Sequence, residues 1–226
     1  MTAIICALYD EAFELLKTLY PAKANGIRYY IGVIKDTPVS LYLSRPGLPN
    51  REKIRRFLRL YDFHTCINIG FAGALKNNLE VGQLLKVSEV QDFCKNKIKI
   101  NKTGVKLTSV NHPVVEVSEK NDLHLLTGSD IVDMEAYRLI ELLREPEFAT
   151  IEAQVLKIVG DRLSDRDYLE KEEYMRSYFK SRSIIAKLKI IFNTGVADFF
   201  ILYRRKKKLQ KKLKSSLFHI LVGQQK

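Results

Sequence analysis

Short apolar segments alternate with helical segments along the first 165 residues of this chain. The apolar segments include "TAIICAL" (residues 2–8), "TCINIG" (65–70) and "AQVLKIVGD" (153–161). Between them, segments such as "REKIRRFLRLY" (51–61) place apolar residues at helical spacing. This alternation predicts an α/β fold with three layers, α/β/α, around a central mixed, mainly parallel sheet.

Positive charge is concentrated near the C-terminus. The 226 residues carry a net charge of +12, but residues 183–226 contain 11 Lys/Arg and one acid, whereas residues 1–182 contain 27 Lys/Arg and 25 Asp/Glu. We therefore predict a nearly neutral domain over residues 1–182 and a helical, strongly basic extension over residues 183–226. The helical pattern begins at Tyr168 and is broken near Asn193–Gly195. Because the domain is nearly neutral, the basic overall charge says little about its ligand.

The cysteines and histidines favour a reduced, metal-free protein. Cys6, Cys66 and Cys94 are odd in number and lie in apolar surroundings, which is typical of buried free thiols in a reducing cytosol. The four histidines have no zinc-ligand spacing, so we expect neither a metal nor a cofactor. No run of about 18 apolar residues occurs and the first residues lack the pattern of a secretory signal, so we expect a cytoplasmic protein.

Acidic residues follow several of the predicted strands. Asp10 and Glu11 come after the first strand, Asp133 and Glu135 flank Met134 where a strand becomes a helix, and Asp161 ends the last strand. Carboxyl ends of strands are where open α/β sheets bind their ligands. Each acid also has a purely structural interpretation: Asp10 and Asp133 as helix caps, and Asp161 as a turn residue.

In combination, these segments resemble the nucleoside phosphorylase/nucleosidase superfamily, and most closely its methylthioadenosine/adenosylhomocysteine nucleosidase branch. The resemblance spans about residues 2–165. It rests on four motifs in order: Ala7-Leu8-Tyr9-Asp10-Glu11; Gly70-Phe71-Ala72-Gly73-Ala74-Leu75 with Val81-Gly82-Gln83; Asp133-Met134-Glu135; and Gly160-Asp161.

The resemblance implies an enzyme that cleaves the N-glycosidic bond of a purine nucleoside or an adenosyl compound. Glu11 and Asp161 would be catalytic: Asp161 would protonate the leaving purine at N7, and Glu11 would orient or deprotonate water. Glu135 would bind the ribose hydroxyls and Met134 would pack on the sugar. Asp133 and the predicted loop Phe71, Ala72 and Gly73 would complete the substrate site. The resemblance also implies a homodimer.

Four departures from the family pattern leave the nucleophile and the activity open. Phe71 stands where the family often has serine near an anion site, Asp133 replaces glutamate, and Gln83 replaces aspartate. The segment from Phe93 to Asp130 is also short. Within that segment, Asn111 or His112 would lie near the base. Water is the favoured nucleophile and phosphate is the second candidate. Phosphorolysis of an adenosylated lipid of the hopanoid type and a non-catalytic nucleoside-binding role also stay open.

The basic extension carries a narrow apolar stripe that has two interpretations. Eight of the eleven residues 204–214 are Lys or Arg, while Leu209, Leu213, Leu217 and Leu221 recur every four residues. The stripe packs on the body or on a second subunit, or residues 204–221 lie on an anionic membrane surface. The extension contains no motif that reads bases, so we expect no specific binding of nucleic acid.

Overall fold

A ten-stranded mixed sheet forms the centre of the molecule. The computed structural model describes residues 1–162, 179, 181, 183–187, 190 and 196–223. The strands are β1 (Thr2–Cys6), β2 (Tyr20–Ala24), β3 (Ile27–Ile34), β4 (Thr37–Leu43), β5 (Thr65–Ala74), β6 (Leu84–Gln91), β7 (Lys97–Lys99), β8 (Val105–Ser109), β9 (Ile131–Asp133) and β10 (Glu152–Asp161). The helices are α1 (Tyr9–Leu16), α2 (Arg51–Leu58), α3 (Val117–Thr127), α4 (Ala136–Leu143) and α5 (Val196–Gly223), with a 3₁₀ turn at Pro146–Phe148.

Strand β5 organises the sheet because it pairs with three other strands. Its first half runs parallel to β1, its last two residues pair antiparallel with β9, and β10 runs parallel along nearly all of it. Strands β10, β6, β8 and β9 then return to β5, while β1, β4, β3 and β2 extend the sheet on the other side. The mixed sheet is confirmed. Among the described strands, however, parallel and antiparallel pairings are equally frequent, since the β2–β3–β4 hairpins and β7 add antiparallel pairs.

Helices cover both faces of the sheet, which gives the predicted three layers. Alternate residues of β1 enter two cores: Ala3 and Ile5 pack with residues of α2 and α4, whereas Ile4 packs with residues of α1 and α5. This alternation follows from the two-residue period of a strand. A strand buried on both faces reads as a continuous apolar run, as "TAIIC" does.

The leucine stripe of α5 packs against the body. Leu209, Leu213, Leu217 and Leu221 are at most 3% exposed and share a core with the sheet residues Ile4 and Ile67. Of the two interpretations, the structure therefore has packing on the body, and the membrane-facing interpretation is corrected because the stripe is covered by protein. Among the described helices, none is both long enough and apolar enough to span a membrane.

Some predictions lie outside the described residues or differ from the structure. Three predictions fall largely outside the described residues: the helix from Tyr168, its break at Asn193–Gly195 and the domain boundary at residues 182 and 183. The division into two domains therefore stays a prediction, although α5 shares its core with the body. Cys6 and Cys66 are buried free thiols as predicted, whereas Cys94 is exposed because it lies in the turn before β7.

Candidate active site

One cavity brings together all the residues that the sequence predicted for the site. It measures about 180 Å³, and its wall includes Glu11, Phe71–Gly73, Asp133–Glu135 and Asp161. Glu11 comes from the first turn of α1, Phe71–Gly73 from β5, Asp133–Glu135 from the junction of β9 and α4, and Asp161 from the end of β10. The pairings of β5 with β9 and β10 converge at Gly73, which faces Val132 on one side and Asp161 on the other. That convergence is what assembles the cavity.

The segment Phe71–Gly73 belongs to a strand, which corrects the predicted loop. Ile158 pairs with Phe71 and Val159 with Ala72, so the sheet continues to Ala74. The glycines of "NIGFAGA" suggested a turn, but long-range pairing with β10 decides the conformation. Gly70 leaves room for the Glu11 carboxyl instead: a Cβ there would lie 2.8 Å from Glu11 Oε1 and would displace it.

Glu11 is held in the cavity wall by two backbone N–H groups. Its Oε1 accepts the N–H of Phe71 at 2.9 Å, and its Oε2 accepts the N–H of Leu8 at 3.0 Å. The second contact closes the N-terminus of α1, so Glu11 performs the capping that the sequence suggested for Asp10. Burial raises the pKa of the Glu11 carboxyl, and the nearby Asp10 raises it further, while the two N–H donors lower it.

Asp133 is fully engaged by protein groups. Its carboxylate accepts Ser109 Oγ–H at 2.6 Å, the N–H of Ala136 at 3.0 Å and the ammonium of Lys157 at 2.8 Å. The contact with Ala136 is the helix-capping interaction that the sequence also allowed for this residue. Asp133 lines the cavity, and its bonds tie β8, β9, α4 and β10 together there.

Lys157 binds the site residue Asp133, and the sequence analysis missed it. It lies in the middle of β10, its side chain is 2% exposed, and its nearest acid is Asp133. Burial lowers the pKa of the Lys157 ammonium, but the acids Asp133, Glu135 and Glu11 outweigh that effect and raise it. A charged residue inside the apolar strand "QVLKIVG" was the available signal, because a lysine there must find a buried acid.

Glu135 is a buried acid that anchors a neighbouring loop and has a shifted pKa. Its Oε1 accepts the N–H of Gly47 at 3.0 Å, which anchors the loop before α2 to the site. Burial, followed by repulsion from Asp133, raises the pKa of Glu135 to about 7. The carboxyl therefore exchanges its proton near neutral pH. Met134 is partly exposed beside it and contributes an apolar surface to the cavity wall.

Asp161 is bound by a second lysine that sequence reasoning did not select. Lys120 of α3 is fully buried, and its ammonium donates to Asp161 Oδ2 and, at 3.0 Å, to the carbonyl of Arg162. Forty-one residues separate the two partners, and α3 shows no local motif around Lys120. Only the packing of α3 against the end of β10 reveals the pair.

A third buried lysine connects the basic helix α5 to the site. The Lys206 ammonium lies 2.8 Å from Asp10 Oδ2 and 4.6 Å from the centroid of the Phe71 ring. Arg205 donates to the carbonyl of Gly160 at 3.0 Å. Part of the basic extension thus contacts Asp10 and Gly160, the sequence neighbours of Glu11 and Asp161.

Of the two residues expected near the base, the structure places His112 in the cavity wall. Asn111 accepts a hydrogen bond from Arg138 at 2.7 Å, and the cavity wall does not include it. His112 is largely exposed and hydrogen-bonds Glu119. Among the described residues of the wall there is no lysine and no arginine, so the cavity presents four carboxyl groups and one histidine. In the described parts of the chain, no group of three or more His, Cys, Asp or Glu side chains has an arrangement that could hold a metal ion.

The mixed sheet between two helical layers, with a cavity at the ends of β5, β9 and β10, defines a fold of the nucleoside phosphorylase class. The profile of the Phosphorylase superfamily matches residues 2–103. This match contains the first two of the four motifs. Together with the fold, it confirms the resemblance to the superfamily and agrees with the predicted enzyme class.

Solved structures of similar fold extend the comparison to the whole chain. The futalosine hydrolase of Helicobacter pylori has a TM-score of 0.67 at 14% identity, with 96% of each chain covered. The 5′-methylthioadenosine/S-adenosyl homocysteine nucleosidase (MTAN) of Campylobacter jejuni has a TM-score of 0.62 at 14% identity and covers 91% of this chain and 98% of its own. The MTAN of Chlamydia trachomatis has a TM-score of 0.62 at 17% identity, covering 98% and 97%. No curated protein matched the sequence.

Proposed function

We propose that the protein hydrolyses the N-glycosidic bond of a purine nucleoside or an adenosyl compound, with Asp161 as the general acid. The observation that carries this proposal is the cavity in which Glu11, Glu135 and Asp161 meet on three different elements of a phosphorylase-class fold. Breaking this bond leaves an electron-poor sugar and an electron-rich purine. Catalysis therefore needs a proton donor on the base side and a nucleophile on the sugar side.

Asp161 and Glu11 are assigned to these two sides. Asp161 delivers its proton to N7 of the departing purine. Glu11 orients the attacking water and takes its proton, a role supported by the raised pKa of Glu11, because a base works best when its pKa approaches the working pH. The two backbone N–H groups fix the carboxylate while leaving further lone pairs on its oxygens for water.

The ribose is assigned to Glu135, Met134 and the strand segment Phe71–Gly73. With a pKa of about 7, Glu135 both accepts and donates hydrogen bonds near neutral pH, which suits sugar hydroxyls. Met134 supplies an adaptable apolar contact to the sugar face. Ala72 and Gly73 let the substrate approach the backbone of β5 closely.

The charge of the cavity supports water rather than phosphate as the nucleophile. Phosphate sites in proteins are built from cations and convergent N–H donors. Here the described wall contains four carboxyl groups and no lysine or arginine, and Phe71 places an aromatic ring where the family often has serine. Phosphorolysis, including that of an adenosylated lipid, is disfavoured for the same reason. A non-catalytic, nucleoside-binding role is the second candidate function.

The first test is release of purine base with and without phosphate. The substrates are methylthioadenosine, adenosylhomocysteine and adenosine, with futalosine added because a futalosine hydrolase is among the similar structures. We expect base release that is independent of phosphate. Strict dependence on phosphate would establish phosphorolysis, and no release from any substrate would favour the non-catalytic role.

The second test replaces the two catalytic carboxyls. Asp161→Asn is expected to lower kcat by about two to four orders of magnitude, the usual effect of removing a general acid. Glu11→Gln is expected to impair hydrolysis and to leave any phosphate-dependent activity less affected. The matched controls are Asp62→Asn and Glu80→Gln, at two exposed positions. Full activity of Asp161→Asn would refute the assignment.

We further propose that the protein is a cytoplasmic homodimer. The exposed apolar side chains Phe93, Leu125 and Leu126 around α3 support an interface there. Light scattering coupled to size exclusion measures the mass, and a mass of about twice 26.1 kDa is expected. A monomer at micromolar concentration would contradict the proposal.

A further inference from the structure

Lys120 occupies an unusual position for a lysine. It lies in the first half of α3 with no exposed surface, and both acceptors of its ammonium are at the end of β10: the Asp161 carboxylate and the carbonyl of Arg162. Burying an ammonium group costs several kcal/mol unless acceptors replace the lost water. Lys120 does not line the cavity, so it touches the substrate only through Asp161.

A role restricted to packing does not explain this arrangement. An apolar side chain of similar volume would join α3 to the core without the cost of dehydrating a charge. The lysine instead donates to the carboxyl group that the proposed reaction uses as an acid, and its second acceptor is the carbonyl of the next residue. The fold thus places a fixed positive charge directly behind that group.

We propose that Lys120 is the positioning residue of Asp161: it holds Oδ2 and stabilises the carboxylate that forms as the proton leaves. This inference rests on the proposed function. As the bond between C1′ and the purine breaks, its electron pair moves to the base, and the proton of Asp161 passes to N7. Asp161 becomes a carboxylate beside the Lys120 ammonium, which keeps its own protons. Water adds to C1′ and gives its proton to Glu11.

Other charged groups surround Asp161 and stay unchanged when Lys120 is replaced. Glu11, Asp133 and Glu135 share the cavity with it, and His112 lies in the same wall. Arg205 of α5 reaches the carbonyl of the preceding residue. A difference in pH dependence between variants at position 120 therefore reports on the lysine.

The pH profile of kcat separates this role from packing. An ammonium beside a carboxyl group favours the carboxylate, so removing it lets the protonated, active form persist to higher pH. Lys120→Met is expected to move the alkaline limb of the profile upward by about 1 to 3 pH units. Lys120→Arg keeps the charge and is expected to leave the limb near its original place. The exposed Lys102→Met is the matched control.

Two outcomes overturn the inference: a uniform loss of activity in Lys120→Met without a shift of the limb, or the same shift in Lys120→Arg. A second measurement does not need activity. Titration of the Asp161 carboxyl by ¹³C NMR, assigned with Asp161→Asn, is expected to show its midpoint rising in Lys120→Met. If no nucleoside is cleaved, the proposed function fails, whereas this titration still decides whether Lys120 controls Asp161. An unchanged midpoint would refute that control.

Discussion

Two regions of the molecule bring acids and bases together in opposite ways. The buried lysine pairs are Lys120–Asp161, Lys157–Asp133 and Lys206–Asp10. The exposed arginine cluster, whose charged side chains are 28% to 47% exposed, joins α2 to α4 and the 3₁₀ turn. It consists of Arg51, Arg55 and Arg59 with Glu141, Glu145 and Glu147. The side chains of Lys157 and Asp133 are 2% and 1% exposed, whereas those of Arg59 and Glu147 are 47% and 43% exposed.

The number of hydrogen bonds in an ion pair is therefore a poor guide to its contribution to stability. The exposed arginine cluster has the better geometry: Arg55 binds Glu145 with two nitrogens, and Arg59 binds Glu147 with two. Water screens these charges, so little free energy is gained. Each buried lysine pair has fewer bonds between its partners, but removal of one partner leaves a poorly solvated charge without its counterion. The site should therefore depend on its lysines far more than the surface depends on its arginines.

Removing Lys157 tests the buried pairs with the largest expected effect on stability. Lys157→Met leaves Asp133 without its cation beside Glu11 and Glu135, and we expect the free energy of unfolding to fall by about 3 to 5 kcal/mol. Urea unfolding monitored by circular dichroism measures it, with Lys102→Met as the exposed control. Adding Asp133→Asn to Lys157→Met should recover part of the loss. A loss of unfolding free energy no larger than that of Lys102→Met would contradict the expected dependence on the buried lysine pairs.

Glu135 is expected to make the stability of the buried site depend on pH. Its pKa is about 7 in the folded protein against a usual 4.5, so between these values the folded state holds a proton that the unfolded state has released. Stability contributed by the protonated form is therefore lost as pH rises from 4.5 to 7. Glu135→Gln mimics the protonated form and should be more stable than the native protein by about 2 to 3 kcal/mol at pH 8, with little difference at pH 4.5.

The measurement is urea unfolding of both proteins at several pH values. A constant difference between pH 4.5 and pH 8 would show that Glu135 does not carry the shifted proton. The exposed Glu80→Gln is the control and should show no pH-dependent difference.

The smallest effect is expected in the exposed arginine cluster. Arg59→Gln removes the two hydrogen bonds to Glu147, yet both groups are solvated in the folded and the unfolded protein. The urea midpoint should stay within experimental error at physiological salt, and any change should shrink further at high salt. A loss comparable to that of Lys157→Met would erase the distinction between the two regions.

Most of the strands and helices, and the acids of the candidate site, could be predicted from the sequence. Continuous apolar runs such as "TAIIC" specify strands buried on both faces, and "REKIRRFL" specifies an amphipathic helix, because both patterns are local. The positions of Glu11, Glu135 and Asp161 beside strand ends were also readable, since chain order and the rule for ligand sites at strand ends suffice to select them.

The cations that neutralise those acids could not be predicted from the sequence, because long-range packing brings them into contact. The partners of the buried lysine pairs Lys120–Asp161 and Lys206–Asp10 lie 41 and 196 positions apart, so no window of sequence connects them. The glycines after Asn68 favoured a loop, but pairing with β10 extended the strand through Gly73. The leucine stripe of α5 fitted a membrane surface as well as a protein surface, because both accept an apolar face. In the folded protein the stripe packs in the core, where its burial removes apolar surface from water and lowers the free energy.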